Sequence, residues 1–151
     1  MVVFREALVT ESDAHELLEE YFESRRGSTA GYQTTFPDPA QFVSPAGVFL
    51  VVENETASTG CGGIRRLSDS RYEVKHLWVR PKARGLGLGR RLLVELERRA
   101  ADLGATEIVL DTNETQAEAS SLYRSAGYES IEPYNENPNA NLWLRKTLNR
   151  S

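Results

Sequence analysis

Cysteine is almost missing from this chain of 151 residues, and the lone Cys61 rules out an intrachain disulfide framework. Histidine is equally scarce: His15 and His76 are far apart in sequence, so a His/Cys metal cage is not expected and no metal is assigned. No apolar run approaches the ~20 residues needed to span a bilayer. The start, Met1-Val2-Val3-Phe4-Arg5-Glu6, lacks the basic segment and apolar stretch of a signal peptide, so a cytoplasmic protein without membrane contact is expected. Positive charge is in deficit, with 18 Lys and Arg against 22 Asp and Glu and a net charge of −4. That balance argues against nucleic acid as the main partner while leaving room for a local basic pocket.

What remains is ordinary globular material, 40% hydrophobic and 26% charged, without internal repeats or low-complexity tracts. A chain of this length can bury one sizeable core, and a single domain over residues 1–151 is expected. Val2 to Ala7 reads as a first strand. Ala14, Leu17, Leu18, Tyr21 and Phe22 then recur at helical spacing behind a cap at Thr10 to Ser12, and Arg25-Arg26-Gly27 closes that helix. Residues 28–45 form an irregular stretch with one helical turn at Asp38 to Phe42, of the kind that lines binding sites.

Three strands follow, Val48 to Glu53, Gly60 to Leu67 and Arg71 to Val79, separated by polar turns at 54–58 and 68–70 that make an antiparallel meander. Leu92, Leu93, Leu96, Ala100 and Leu103 mark a strongly amphipathic helix that Gly104 ends. Glu107 to Asp111 is a buried-type strand, so strand, helix and strand imply a parallel right-handed crossover. Thr115 and Glu118 have capping-box spacing ahead of the stripe Ala119, Leu122, Tyr123 and Ala126; Tyr128 to Pro133 and Asn141 to Leu148 close the chain as strands. The expected architecture is mixed α/β: a mostly antiparallel sheet of about six or seven strands with one parallel pair, flanked by about four helices.

The chemistry gathers at Arg84-Gly85-Leu86-Gly87-Leu88-Gly89-Arg90, between the strand end Leu77-Trp78-Val79 and the amphipathic helix. Glycine at alternate positions costs about 0.5–1 kcal/mol each relative to alanine in regular structure, so another purpose is required. A glycine turn at a helix start gathers unpaired N–H groups toward one point, where the helix dipole already favours an anion. With Arg84, Arg90, Arg91 and Lys82 nearby, a diphosphate is the expected guest. The Walker loop fails for want of Gly-Lys-Ser/Thr, and the dinucleotide fingerprint fails because one residue separates Gly87 from Gly89.

Arg84-x-x-Gly87-x-Gly89 after a strand resembles the acyl-CoA-binding motif of the GNAT superfamily of N-acetyltransferases, and Ala119-x-x-Leu122-Tyr123-x-x-x-Gly127-Tyr128 is similar to that family's second motif. The resemblance covers most of the chain and implies the GNAT fold with acetyl-CoA as co-substrate. It implies cofactor contacts at Leu77, Trp78, Val79, Arg84, Gly85, Leu86, Gly87, Leu88, Gly89, Arg90, Gln116 and Tyr123. Gln116 stands where many members carry asparagine, and its longer amide reaches the same neighbourhood. The pantetheine arm is expected beside Leu77 to Val79 as an added strand, with a main-chain N–H near Leu77 or Trp78 polarising the thioester carbonyl.

Acetyl transfer needs a neutral amine and a proton for the leaving thiolate. Glu73 is the candidate base by its spacing to the loop, as in histone-type members. Strand parity puts it with Lys75, Leu77 and Val79, opposite His76; the alternatives are a solvated strand carboxylate and proton removal through ordered water. Tyr123, a phenol of pKa near 10 at the family's Leu-Tyr position, is the candidate acid. Cys61 and His76 read as strand filling, whereas Tyr32 and Tyr134 lie in irregular segments where an acceptor could meet them. The expected activity is transfer of acetyl from acetyl-CoA to a primary amine of a small molecule, peptide or protein, by a monomer or homodimer. A non-catalytic acyl-CoA-binding or sensing module is the alternative.

Overall fold

The computed structural model describes residues 1–55 and 57–148; Thr56, inside the turn expected at 54–58, and residues 149–151 lie outside the described residues. The strands are β1 (Val2–Glu6), β2 (Gly47–Asn54), β3 (Ala57–Arg66), β4 (Arg71–Val79), β5 (Glu107–Thr112), β6 (Glu129–Ser130) and β7 (Leu142–Thr147). The helices are α1 (Ser12–Ser28), α2 (Leu88–Asp102) and α3 (Ala117–Ser125), with single 3-10 turns at Pro39–Phe42 and Pro81–Ala83. All strands join one sheet in the order β1-β2-β3-β4-β5-β7-β6. The pairing is antiparallel except for β4 with β5, the pair that α2 connects.

Side-chain alternation divides β2 between two cores. Val48, Leu50 and Val52 face α2, where Leu92, Leu93, Leu96 and Ala100 are fully buried, while Phe49 and Val51 face Leu17, Leu18 and Phe22 of α1. Burying each leucine contributes about 1.5–3 kcal/mol, enough to hold the N-terminus of α2 firmly against the end of β4. Two boundaries differ from expectation. The residue flanking α3 is Gln116, not Thr115, and it makes no side-chain cap, because its amide is spent on Arg25, Ser28 and Thr29. The strand expected to reach Pro133 shrinks to Glu129–Ser130.

The largest departure lies in β4. Gly63 opposes Lys75 and Cys61 opposes Trp78, so β4 spends one more residue than β3 there, and His76 takes a left-handed φ of 61°. That bulge reverses the parity expected beyond Lys75. Tyr72 and Val74 face α2, but His76 packs edge-on against Tyr21 and Phe22 on the α1 side, together with Trp78. Leu77 and Val79 therefore do not share a face with Glu73: Leu77 packs with the α2 core, and Val79 lies beneath Gly89.

Candidate functional site

Pairing between β4 and β5 stops early. Arg71, Tyr72 and Glu73 are in register with Glu107, Ile108 and Val109, after which β5 continues beside β7 and β4 runs on alone along that edge. The main chain of β4 from the bulge to Val79 is thus unpaired toward β5, where an extended ligand can add as a strand. Where β4 ends, Arg80 is clamped by Glu16, Glu20 and the Ser58 carbonyl. Arg84 donates from Nε to the Val79 carbonyl at 3.0 Å and lies over the Trp78 ring at 4.9 Å. Gly85 (φ 87°) and Gly87 (φ 74°) then turn the chain into α2 through backbone conformations that an L side chain resists.

Among the described residues, no main-chain N–H from 85 to 90 has an acceptor in the protein; the first bond at this helix start is from Arg91 to the Gly87 carbonyl. These free donors coincide with the positive end of the α2 dipole and fit a diphosphate. They open onto a groove of about 670 Å³ between β4, α3 and the end of α1. Leu77, Trp78, Val79, Arg84, Gly85, Gly87, Leu88, Gly89, Arg90 and Gln116 line it. The Leu86 side chain does not, being 64% exposed to solvent. Neither arginine is a loose charge, since Arg90 is tied to Ser125 at the end of α3.

A second cavity of about 440 Å³ lies under the 32–42 segment and the 135–140 loop. Arg25, Leu77 and Gln116 line both cavities, so groove and cavity meet at the β4 bulge. Tyr123 belongs to the second cavity, not to the groove wall. Its ring packs edge-on against Tyr128 at 5.7 Å, and among the described residues its hydroxyl makes no hydrogen bond. Burial raises its pKa above the ordinary 10.0, so the phenol keeps its proton at neutral pH.

Glu73 is placed differently. It is fully buried and accepts hydrogen bonds from Arg65 Nε at 2.7 Å and from the Tyr134 hydroxyl, and it does not line the cavity. Tyr134 is likewise absent from the wall, whereas Tyr32 is on it. Lys75 reaches Asp111 at 3.7 Å, and Arg25 donates to Gln116 Oε1 while stacking over Tyr21 at 4.6 Å. Arg25, Asp111 and the asparagines at 135, 137 and 139 are wall residues that sequence reasoning passed over. One signal could have found Arg25: it continues the buried α1 stripe at i+4 from Tyr21 and i+3 from Phe22, where another apolar residue would be expected.

His76, which reads in the sequence as strand filling, is buried and also borders the cavity, and its Nδ1 has no partner among the described residues. Burial, with Lys75, Arg65 and Arg25 adding to it, lowers its pKa from 6.5 to about 3. Above pH 6.5 the imidazole is neutral in both folded and unfolded chains; below it the unfolded chain takes up a proton that the folded one refuses. Stability therefore falls with falling pH, by about 1.3 kcal/mol between about pH 7.5 and 5.5. His76→Asn keeps a residue that tolerates positive φ. Urea denaturation at both pH values is expected to show the wild type losing that much more than the variant, and equal losses would refute a neutral buried imidazole.

Known structures share this architecture. A GNAT-family acetyltransferase from Staphylococcus aureus superposes with a TM-score of 0.82 at 19% identity, covering 99% of this chain and 100% of that one. A Salmonella typhimurium protein solved with its cofactor acetyl-CoA gives 0.70 at 20% identity, covering 100% and 96%. At such identities the likeness is one of fold. Family membership comes from sequence: residues 12–128 match the acetyltransferase (GNAT) family model, and the chain belongs to that family. An uncharacterized N-acetyltransferase of Schizosaccharomyces pombe is 38% identical over 100 residues, 65% of this chain and 61% of the relative. The Azospirillum brasilense protein named IAA acetyltransferase is 36% identical over 104 residues, 66% of this chain and 67% of the relative.

Proposed function

We propose that this chain is an N-acetyltransferase that moves an acetyl group from acetyl-CoA to a primary amine of a small molecule or peptide. The observation that carries this reading is the early parting of β4 from β5, which joins the free N–H groups of 85–90 to the second cavity through one continuous groove. Bound acetyl-CoA supplies the acetyl group as an activated thioester.

The chain's own parts then divide the work. The amides of 85–90 and the α2 dipole take up diphosphate charge, and the unpaired edge of β4 orients the pantetheine arm. A main-chain N–H near Leu77 or Trp78 polarises the carbonyl. Tyr123, held neutral by burial, keeps the proton that the departing sulfur needs. Glu73, walled off behind Arg65 and Tyr134, is better suited to anchoring that side of the cavity than to touching the amine. The amine's proton is left to water in the polar half of the cavity. The same reading takes residues 1–151 as one acetyltransferase domain, cytoplasmic, and monomeric or homodimeric.

The test is release of free thiol from acetyl-CoA against a panel of amines, with the N-acetyl product identified by mass. Turnover of at least one amine at a rate well above hydrolysis is the expected result. Tight acetyl-CoA binding with no acceptor turned over would replace this reading with a cofactor-binding module.

A further inference from the structure

The charges around the acceptor cavity are not evenly matched. Of the cations on its wall, Arg65 is paired with Glu73 at 2.7 Å and Lys75 faces Asp111 at 3.7 Å. Arg25 has no carboxylate partner among the described residues. Its guanidinium is held instead by neutral groups, the Tyr21 ring at 4.6 Å and the side-chain carbonyl of Gln116. Neutral holders aim the group while leaving its charge available. A planar guanidinium fixed in this way is suited to charge-assisted, two-pronged hydrogen bonding of a carboxylate.

Position narrows the class of ligand further. Arg25 borders both the acyl-donor groove and the acceptor cavity, so an anion resting on it lies beside the place where the acetyl group is delivered. The loop amides that fit the diphosphate belong to the turn into α2, and Arg25 belongs to the end of α1 near Leu77, at the thioester end of the groove. On the other side of Arg25 the wall is aromatic, formed by Tyr21, Phe22, Tyr32 and Phe36.

We infer, resting on the acetyl-transfer reading above, that the acceptor is an amino acid with an apolar side chain, its carboxylate bound by Arg25 and its side chain laid on the aromatic wall. The transfer forms the bond between the acceptor nitrogen and the acetyl carbon and breaks the carbon–sulfur bond. The nitrogen loses a proton and the thiolate gains one.

The experiment compares matched acceptors that differ only in the carboxylate: L-phenylalanine with phenethylamine, and L-leucine with 3-methylbutylamine. Thiol release by wild type and Arg25→Gln gives kcat/KM for each. The wild type is expected to favour each amino acid over its decarboxylated twin by about tenfold or more. At saturating acetyl-CoA, Arg25→Gln is expected to lower the amino-acid value until the twins agree within about threefold. A wild type indifferent to the carboxylate would overturn the inference. So would an Arg25→Gln enzyme that loses both twins equally.

Calorimetric titration of N-acetyl-L-phenylalanine and of N-phenethylacetamide, each with saturating coenzyme A, reads the same preference without turnover. A carboxylate preference that disappears in Arg25→Gln, in an enzyme that releases no thiol, would support the carboxylate site while counting against acetyl transfer. No preference in an active enzyme would count against the carboxylate site alone.

Discussion

Replacing Tyr123 with phenylalanine is expected to lower kcat by about a hundredfold, the lower end of what a positioned acid contributes, while the KM for acetyl-CoA changes less than about twofold. The substitution removes one oxygen and leaves the ring, so the edge-on packing with Tyr128 at 5.7 Å is kept. The Tyr123 hydroxyl makes no hydrogen bond among the described residues, so its loss strands no partner and stability is expected to shift by less than about 1 kcal/mol. Because burial raises the phenol's pKa above 10.0, the wild-type rate is expected to show no alkaline fall from this group up to about pH 9. Steady-state kinetics on both proteins, with a pH profile, decides the matter. A rate within about threefold of wild type would end the acid assignment.

Gly87→Glu is expected to reduce coenzyme A affinity by more than about a hundredfold, the scale of a like charge forced into a site with a diphosphate. A Cβ at Gly87 meets nothing within 4 Å, so the side chain has room, and a carboxylate at a helix start is favourable to the dipole. The backbone at φ 74° costs a non-glycine residue about 1–2 kcal/mol, a fraction of the ~5–15 kcal/mol that typically holds a domain folded. Gly87→Ala is the control: it carries the same backbone strain with little bulk and no charge. Calorimetric titration with coenzyme A is expected to rank wild type and Gly87→Ala close together, with Gly87→Glu far below. Equal affinities in all three would mean that the diphosphate does not sit on these amides.

The elements that could be read in advance are those specified over a few residues. The leucine spacing of α2, the glycine turn before it and the alternation along β2 are short-range patterns, and each reappears within a residue or two of its expected bounds. The parallel pair followed from chain connectivity, because a helix between two strands of one sheet leaves little choice. Glu73 and His76 show where this kind of reasoning stops. Parity counting assumes an unbroken pleat, and one extra residue at the bulge moves His76 to the α1 side and Leu77 to the α2 side. Nothing in the local sequence announces the bulge, since histidine is an ordinary strand residue until its φ is known to be 61°.

By itself, then, the sequence determined the order of elements and the glycine turn that leaves main-chain donors free at the start of α2, because such a turn depends on a handful of consecutive residues. Tertiary structure alone decided which side chains share a wall. Arg25 meets Gln116 across 91 intervening steps of chain, and Tyr134 closes over Glu73 across 61. Such meetings depend on how far β4 parts from β5 and where the pleat slips, and these are set by packing on both faces of the sheet at once.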